Sequence, residues 1–249
     1  EVEEMSFEHY LSKKNYFQTL VSQDKWGEPV VALGEMFLEE SKKDVADLSY
    51  IRFAQGEVYF HNKDYETAIF KWENISNELE AWAKKNVADA YYELGLTSAA
   101  VETLVAIKTD NIILQTEIAI KLFDIYLREG KLDKAVQYIK KAVSIHPDYD
   151  NITEVARVFF EDKEDNANAM ELAVNETIRT KKSYWFDVLT GYAEAGTIRQ
   201  TPPEYFMEAL RSIYYTDSHR FEKLSALMWE AYGPTLLYKK WLEMFNELL

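Results

Sequence analysis

The chain has 249 residues, 47% of them hydrophobic, and it contains only 8 Gly and 5 Pro. This length can bury a large core, and the scarcity of turn-forming residues argues against a β-rich fold, so a mostly helical protein is expected. The 43 acidic and 28 basic residues give a formal net charge of −15, which would repel nucleic acid and anionic membrane surfaces.

The sequence contains no cysteine, which excludes disulfides, thiolate catalysis and cysteine-ligated zinc and fits a reducing compartment. No apolar run approaches the ~20 residues of a membrane span, and the start Glu1-Val2-Glu3-Glu4 is unlike the positively charged start of a secretory signal. We therefore predict a cytoplasmic protein. Because the chain begins without Met and ends inside a helical pattern, we also expect it to be a fragment of a longer protein.

The first predicted unit is a helical hairpin within residues 1–43. Ser6 can cap a helix that runs to about Ser22, and Gly27-Glu28-Pro29 opens a second helix that runs to about Glu40. As a repeat unit this hairpin is degenerate. Terminal units usually are, because one of their faces meets solvent instead of a neighbouring hairpin.

A clearer hairpin pattern recurs from residue 44 onward. Two amphipathic helices alternate with short turns, because apolar residues recur every three or four positions and so share one helical face. The second helix of each unit carries a small residue; Ala68, Ala100 and Ala135 are 32 and 35 residues apart (68 to 100, 100 to 135). A further step of about 34 residues reaches Ala169, which predicts a fourth, weaker unit. The turn of that unit, residues 162–166, has no glycine.

The last part of the chain keeps helical periodicity but loses the hairpin pattern. Residues 185–196 again look like a first helix, and four residues are inserted after them. Thr201-Pro202-Pro203-Glu204 is a capping box that predicts a helix start. Two more helices are expected at about 218–232 and 234–248, broken at Gly233-Pro234. We predict that these helices cap the last hairpin.

The third hairpin resembles the tetratricopeptide (TPR) repeat, with Tyr126, Gly130, Ala135, Ala142 and Pro147 at the family's intervals. The resemblance covers roughly residues 44–196. It implies an all-α, right-handed α-solenoid of stacked hairpins with about 14 helices, whose first helices line a concave face. On this basis we expect one continuous domain: a degenerate hairpin at 1–43, repeats at 44–196 and capping helices at 197–249.

No motif in the sequence points to catalysis or to a metal site. No glycine-rich phosphate loop and no Gly-x-Ser-x-Gly is present, and the four histidines stand alone. Residues 162–168 faintly resemble a calcium loop but lack its central glycine and have Ala173 where the bidentate glutamate belongs. We therefore expect a protein that is not an enzyme and has no cofactor. An enzyme would need a deep pocket with converging titratable groups.

The concave face is the predicted binding site, because TPR domains bind peptides there. Aromatic residues with interleaved carboxylates suit a peptide that offers apolar anchors and Lys or Arg. Some family members hold a peptide's terminal carboxylate with Lys, Arg and Asn; Phe53, Glu57 and Asp89 depart from that pattern. The family's concave positions fall on Tyr50, Phe53, Glu57 and Phe60 in the first clear repeat, on Trp82, Lys85, Asn86, Asp89 and Tyr92 in the second, and on Glu117, Ile120, Lys121, Asp124 and Arg128 in the third.

Two alternatives stand beside this hypothesis. Several of the aromatic residues can pack between neighbouring hairpins, and the acidic residues can form a solvated face. The whole domain can also be a structural, recruitment or oligomerisation arm of a larger protein that uses a convex or terminal surface. The aromatic end of the chain would supply such a surface, with Tyr214, Tyr215, Trp229, Tyr238 and Trp241.

Overall fold

The structure is a computed structural model that describes residues 7–41, 48–197 and 203–232 and the single positions 239, 243 and 246. Over these residues it is all-helical, with no β-strand. Short 3-10 helices occupy Tyr149–Asn151 and Pro203–Phe206. The α-helices are α1 Phe7–Ser22, α2 Glu28–Ser41, α3 Ser49–His61, α4 Tyr65–Trp72, α5 Glu80–Glu93, α6 Thr97–Ala106, α7 Ile112–Arg128, α8 Leu132–Ile145, α9 Ile152–Asp162, α10 Asn166–Thr180, α11 Ser183–Glu194, α12 Met207–Thr216 and α13 Ser218–Tyr232.

The prediction of an all-α fold built from helical hairpins is confirmed over the described residues, whereas the handedness of a solenoid and the capping role of the last helices stay predictions. The expected helix near residue 201 begins as the 3-10 turn Pro203–Phe206 and continues as α12; residues 201 and 202 lie outside the described residues. The helix expected at 234–248 also lies outside them, apart from three isolated positions.

One turn geometry recurs in four hairpins, α3–α4, α5–α6, α7–α8 and α9–α10. In each, one residue after the first helix adopts a left-handed backbone conformation. The backbone N–H of the residue that follows it donates to the carbonyl of an aromatic residue five positions earlier. This pair of features is a Schellman motif, which ends the helix. These N–H to O distances are 2.8–2.9 Å. The left-handed residues are Lys63, Gly95, Gly130 and Glu164, and the aromatic acceptors are Tyr59, Tyr91, Tyr126 and Phe160.

The small residue of the second helix lies nine positions after that aromatic residue in all four hairpins. Ala68, Ala100 and Ala135 are 0% exposed and Ala169 is 2% exposed. The hairpin α1–α2 has the same turn, with Asp24 left-handed and the Lys25 N–H donating to the Leu20 carbonyl at 3.2 Å. Its equivalent ninth position, residue 29, is an exposed proline, which accounts for the degenerate appearance of this hairpin.

The recurring turn predicts opposite effects at residues that share one backbone geometry. Lys63→Gly should raise the free energy of unfolding by about 0.5–1 kcal/mol, because it relieves a left-handed side-chain conformation. Gly130→Ala should lower it by about 1 kcal/mol, since no atom lies within 4 Å of the added methyl group and only the backbone conformation resists it. Chemical denaturation measures both changes; two changes of the same sign would contradict the shared turn.

Contacts between Cα atoms divide the chain into two compact units, Glu1–His146 and Pro147–Leu249. In the first unit, separate apolar clusters lie around Phe17 and Ile51, around Trp72 and Ala83, and around Leu104 and Leu122. The second unit has a cluster formed by α10, α11, α12 and α13. Each hairpin of the first unit therefore buries its apolar side chains together with those of a neighbouring helix.

A polar network joins α2, α3 and α4. Glu35 Oε1 accepts hydrogen bonds from Tyr59 Oη at 2.9 Å and Gln55 Nε2 at 3.2 Å and pairs with Lys71 Nζ at 2.7 Å. Burial alone would raise the pKa of Glu35, but these hydrogen bonds and the Lys71 charge hold it below its ordinary value. Burial and the bond to Glu35 raise the pKa of Tyr59 to about 12.

The network predicts a pH-dependent contribution to stability. Because the folded-state pKa of Glu35 is lowered, its contribution is present above the unfolded value of 4.5 and is lost as the pH falls through the lower folded value. Glu35→Gln should therefore destabilise the chain at pH 7, and the difference from the native chain should shrink below pH 4.5. Thermal unfolding at several pH values measures this; a constant difference down to pH 3 would contradict it.

Candidate functional site

The predicted groove residues lie on α3, α5 and α7, the first helices of three successive hairpins in the first unit. Most of their side chains are partly exposed, which suits a surface that must contact a ligand. The structure joins α5 to α7 through direct contacts between these side chains. We call the connected residues the α5–α7 cluster: Lys85, Asp89, Tyr92, Lys121, Asp124 and Arg128.

Asp89 is the centre of the α5–α7 cluster. Its Oδ2 accepts a hydrogen bond from Lys85 Nζ at 2.8 Å along α5, and its Oδ1 lies 3.6 Å from Lys121 Nζ on α7. Asp89 Oδ1 is buried and accepts no hydrogen bond from any described residue. A buried carboxylate oxygen with spare acceptor capacity favours a further donor at this point.

The ring of Tyr92 is the aromatic part of the cluster. Lys121 Nζ lies 4.8 Å and the Arg128 guanidinium carbon 5.9 Å from the ring centroid, both within cation–π range. Arg128 Nε also lies 3.4 Å from Asp124 Oδ1. The hydrogen bond with Tyr92 and the charge of Asp124 raise the pKa of Arg128 above its ordinary value. The cluster therefore alternates carboxylates and cations around one ring.

On α3, the predicted aromatic residues contribute to the packing of their own hairpin. The Phe60 ring lies 5.2 Å from that of Tyr65 and 5.8 Å from that of Trp72. Phe53 packs against the apolar cluster around Trp72, and its carbonyl accepts the indole N–H of Trp72 at 3.0 Å. Both side chains are partly exposed, so each packs against the hairpin on one side and is accessible to a ligand on the other.

The remaining predicted positions lie on the same three helices. The Tyr50 hydroxyl donates to the Glu78 carboxylate. Trp82, Asn86, Glu117 and Ile120 are partly exposed on α5 and α7.

Glu57 on α3 is a predicted groove residue whose carboxyl group is perturbed by burial. Burial raises its pKa above the ordinary value, and within the described part of the chain it has no ion-pair or hydrogen-bond partner. Desolvation penalises the charged form, and a nearby cation would offset that penalty. The site of Glu57 is therefore electrostatically suited to a Lys or Arg side chain.

Two exposed valines of the second unit occupy positions that the prediction omitted. In the register set by Tyr126 and Phe160, Val155 and Val158 on α9 are equivalent to Lys121 and Asp124, and each is 47% exposed. Extending the same 34-residue step to the fourth hairpin would have identified them. The fourth hairpin thus offers apolar groups where the third offers charged ones.

The described part of the chain has neither a metal-binding cluster nor a membrane-spanning helix. Within residues 7–41, 48–197 and 203–232, no group of three or more His, Asp or Glu side chains is arranged to hold a metal ion. In the same ranges, every helix is too short or too polar to span a lipid bilayer.

A comparison with known protein families matches one of the hairpins. Residues 124–149, which contain the end of α7, the turn at Gly130 and all of α8, match the family model described as a tetratricopeptide repeat. No curated protein matches the chain. The matched segment and the all-helical hairpins are consistent with a TPR-like repeat protein.

Proposed function

We propose that this TPR-like repeat protein is a non-enzymatic scaffold that binds a peptide segment of a partner protein along α3, α5 and α7. The TPR match supports a role in protein–protein interaction. The bound segment would carry apolar side chains and Lys or Arg. We place the scaffold in the cytoplasm, a reducing compartment that suits a chain without cysteine.

The observation that carries this proposal is the position of Asp89. Its carboxylate is held between Lys85 and Lys121, and the buried Oδ1 accepts no hydrogen bond from the described residues. The Asp89 side chain is 18% exposed, so a peptide N–H or a basic side chain can approach its carboxylate, while the Tyr92 ring beside it offers a surface for an apolar or cationic group. A peptide supplies both kinds of group within a few residues.

Charge supports a basic segment over an acidic one. Among the predicted groove residues, Lys85, Lys121 and Arg128 already contact carboxylates of the chain itself. Glu57 has no Lys or Arg partner among the described residues, and burial raises its pKa. A Lys or Arg of the peptide beside Glu57 would favour the charged carboxylate and would contribute to electrostatic complementarity.

Substitutions of Trp82 and Tyr92 test the proposal. Random 12-residue peptides displayed on phage would be selected on the full chain, and the enriched peptides measured by fluorescence anisotropy. We expect sequences rich in Lys or Arg beside large apolar residues. Trp82→Ala and Tyr92→Ala should each weaken their binding by about tenfold or more, since interface aromatics commonly contribute over 1 kcal/mol.

Tyr16→Ala supplies the matched control, because Tyr16 is 59% exposed on α1 and is not among the predicted groove residues. The Tyr16→Ala variant should bind the enriched peptides with the affinity of the native chain. The far-UV circular dichroism of all three variants should equal that of the native chain. Unchanged peptide affinity in both groove variants, with helicity retained, would move the binding site elsewhere.

A second candidate function uses the end of the chain. On the second unit, Tyr215 is 72% exposed and Trp229 is 59% exposed, which supports a structural or oligomerisation arm with a terminal aromatic surface. Tyr238 and Trp241 lie outside the described residues. Under this alternative, Tyr215→Ser with Trp229→Ser should lower the molar mass measured by light scattering, and peptide selection should return no groove-dependent sequences.

A further inference from the structure

A second concave surface of the first unit lies away from the α5–α7 cluster. It is a cavity of about 520 Å³ formed by the end of α6, the segment 107–110, α7 as far as Leu122, and α8. None of its lining residues belongs to the predicted groove. A volume of this size falls within the range of sites that hold small ligands or the anchoring side chains of peptides.

The extended segment between α6 and α7 is held in place by hydrogen bonds and keeps this cavity open. After α6 ends at Ala106, Ile107 is extended, and α7 begins only at Ile112. The Gln115 side chain donates to the Thr109 carbonyl at 2.6 Å, and the Asn111 side chain accepts the Leu114 N–H at 3.0 Å. These bonds hold the segment at one edge of the cavity, so the cavity is formed before any ligand binds.

The floor of the cavity is apolar. Leu104 and Leu122 are 1% and 2% exposed, and Ile118 and Tyr138 are partly exposed beside them. Val105 lines the same cavity and is 60% exposed. An inserted apolar side chain would therefore bury carbon surface at the floor and cover Val105, with a gain of about 25 cal/mol for each Å² removed from water.

The charged groups of the lining favour an anion. Lys108 and Lys141 are exposed, and neither forms an ion pair with an acidic side chain in the described part of the chain. Asp110 is the acidic residue of the lining, which leaves one net positive charge in a chain of net charge −15. By contrast, Lys85 and Lys121 of the predicted groove are both paired with Asp89.

We propose that this cavity binds a peptide segment of a partner protein in which a large apolar side chain is flanked by Asp or Glu. The apolar side chain enters between α6 and α8, and the acidic groups lie beside Lys108 and Lys141. This ligand has the opposite charge preference to the one proposed for the groove. The inference therefore does not depend on the proposed function.

The same library of random 12-residue phage peptides tests the inference. Selection on the full chain should enrich, besides any groove-binding sequences, peptides in which Leu, Ile, Phe or Met is adjacent to Asp or Glu. Lys108→Glu combined with Lys141→Glu should weaken these peptides by about tenfold or more, because it reverses both facing charges. Val105→Asp should weaken them as well.

Two controls separate this site from other surfaces. Lys25→Glu combined with Lys63→Glu makes the same change in charge at exposed lysines outside the cavity and should leave the acidic peptides bound. Tyr92→Ala should also leave them bound, whereas it should release groove-binding peptides. Circular dichroism should show the same helicity in every variant, since all the substituted cavity residues are exposed.

Any of three results from the peptide experiments would overturn the inference. They are an absence of acidic and apolar peptides after selection, unchanged binding of such peptides to both cavity variants, and equal weakening by the Lys25 and Lys63 control. A chain that sediments as a dimer and becomes monomeric with Lys108→Glu and Lys141→Glu would assign the cavity to a second copy of the chain and would also overturn it.

Discussion

Trp72→Ala should lower the free energy of unfolding of the first unit by about 3–5 kcal/mol, the range for removing a large aromatic residue from a core. Trp72 is 3% exposed, and its indole N–H donates to the Phe53 carbonyl at 3.0 Å. A methyl group added at Gly56 would lie only 2.3 Å from the Trp72 Nε1 atom, so the indole rests directly on the α3 backbone. The substitution removes this packing and leaves the Phe53 carbonyl without its donor.

Phe70→Ala is the matched control for Trp72→Ala. Phe70 lies on the same helix but is 65% exposed, so its loss should change the stability by no more than about 0.5 kcal/mol. Urea denaturation and hydrogen exchange of the α3 and α4 amides would measure both variants. Equal changes in the two variants would contradict the placement of Trp72 inside the hairpin.

Ala135→Leu should lower the free energy of unfolding by about 1–3 kcal/mol, the usual effect of overpacking. Ala135 is 0% exposed on α8 and holds the position at which every one of the four regular hairpins has an alanine. A leucine there has no space unless α7 and α8 separate. Hydrogen exchange of the α7 and α8 amides would locate the effect, and urea denaturation would measure its size.

Two controls accompany Ala135→Leu. Ala32→Leu makes the same change at an exposed position of α2, and Lys131→Ala changes an exposed residue of the same hairpin. Both should stay within about 0.5 kcal/mol of the native chain. Equal denaturation midpoints for Ala135→Leu and Lys131→Ala would count against the assignment of Ala135 to the helix contact.

Much of the fold follows from the sequence because the hairpins repeat a short set of local rules. The apolar periodicity and the alanine that recurs every 32 to 35 residues were enough to predict the hairpins α3–α4, α5–α6, α7–α8 and α9–α10. The turns at Lys63 and Glu164 were harder to predict, because neither has a glycine. Both nevertheless adopt the same left-handed backbone, with φ of 65° and 53°, since the Schellman bonds and the packing of the two helices offset about 1 kcal/mol of local strain in each.

The sequence was less informative about contacts inside the candidate site. Spacing placed Asp89, Tyr92 and Lys121 on corresponding helical faces, but the pairing of Lys121 with Asp89 depends on how α5 and α7 pack. Phe60 illustrates the same limit, because its contacts with Tyr65 and Trp72 depend on the rotamers of three side chains. The cavity beside Lys108 was not foreseen, since three helices and an extended segment form it together.

Amide chemical shifts of the full chain, recorded while a selected basic and apolar peptide is added, test the proposed groove most directly. We expect saturable shifts concentrated on α5 and α7, within residues 82–92 and 117–128, and their loss in the Tyr92→Ala variant. Shifts confined to α12 and α13, or to the cavity beside Lys108, with α5 and α7 unchanged, would contradict it.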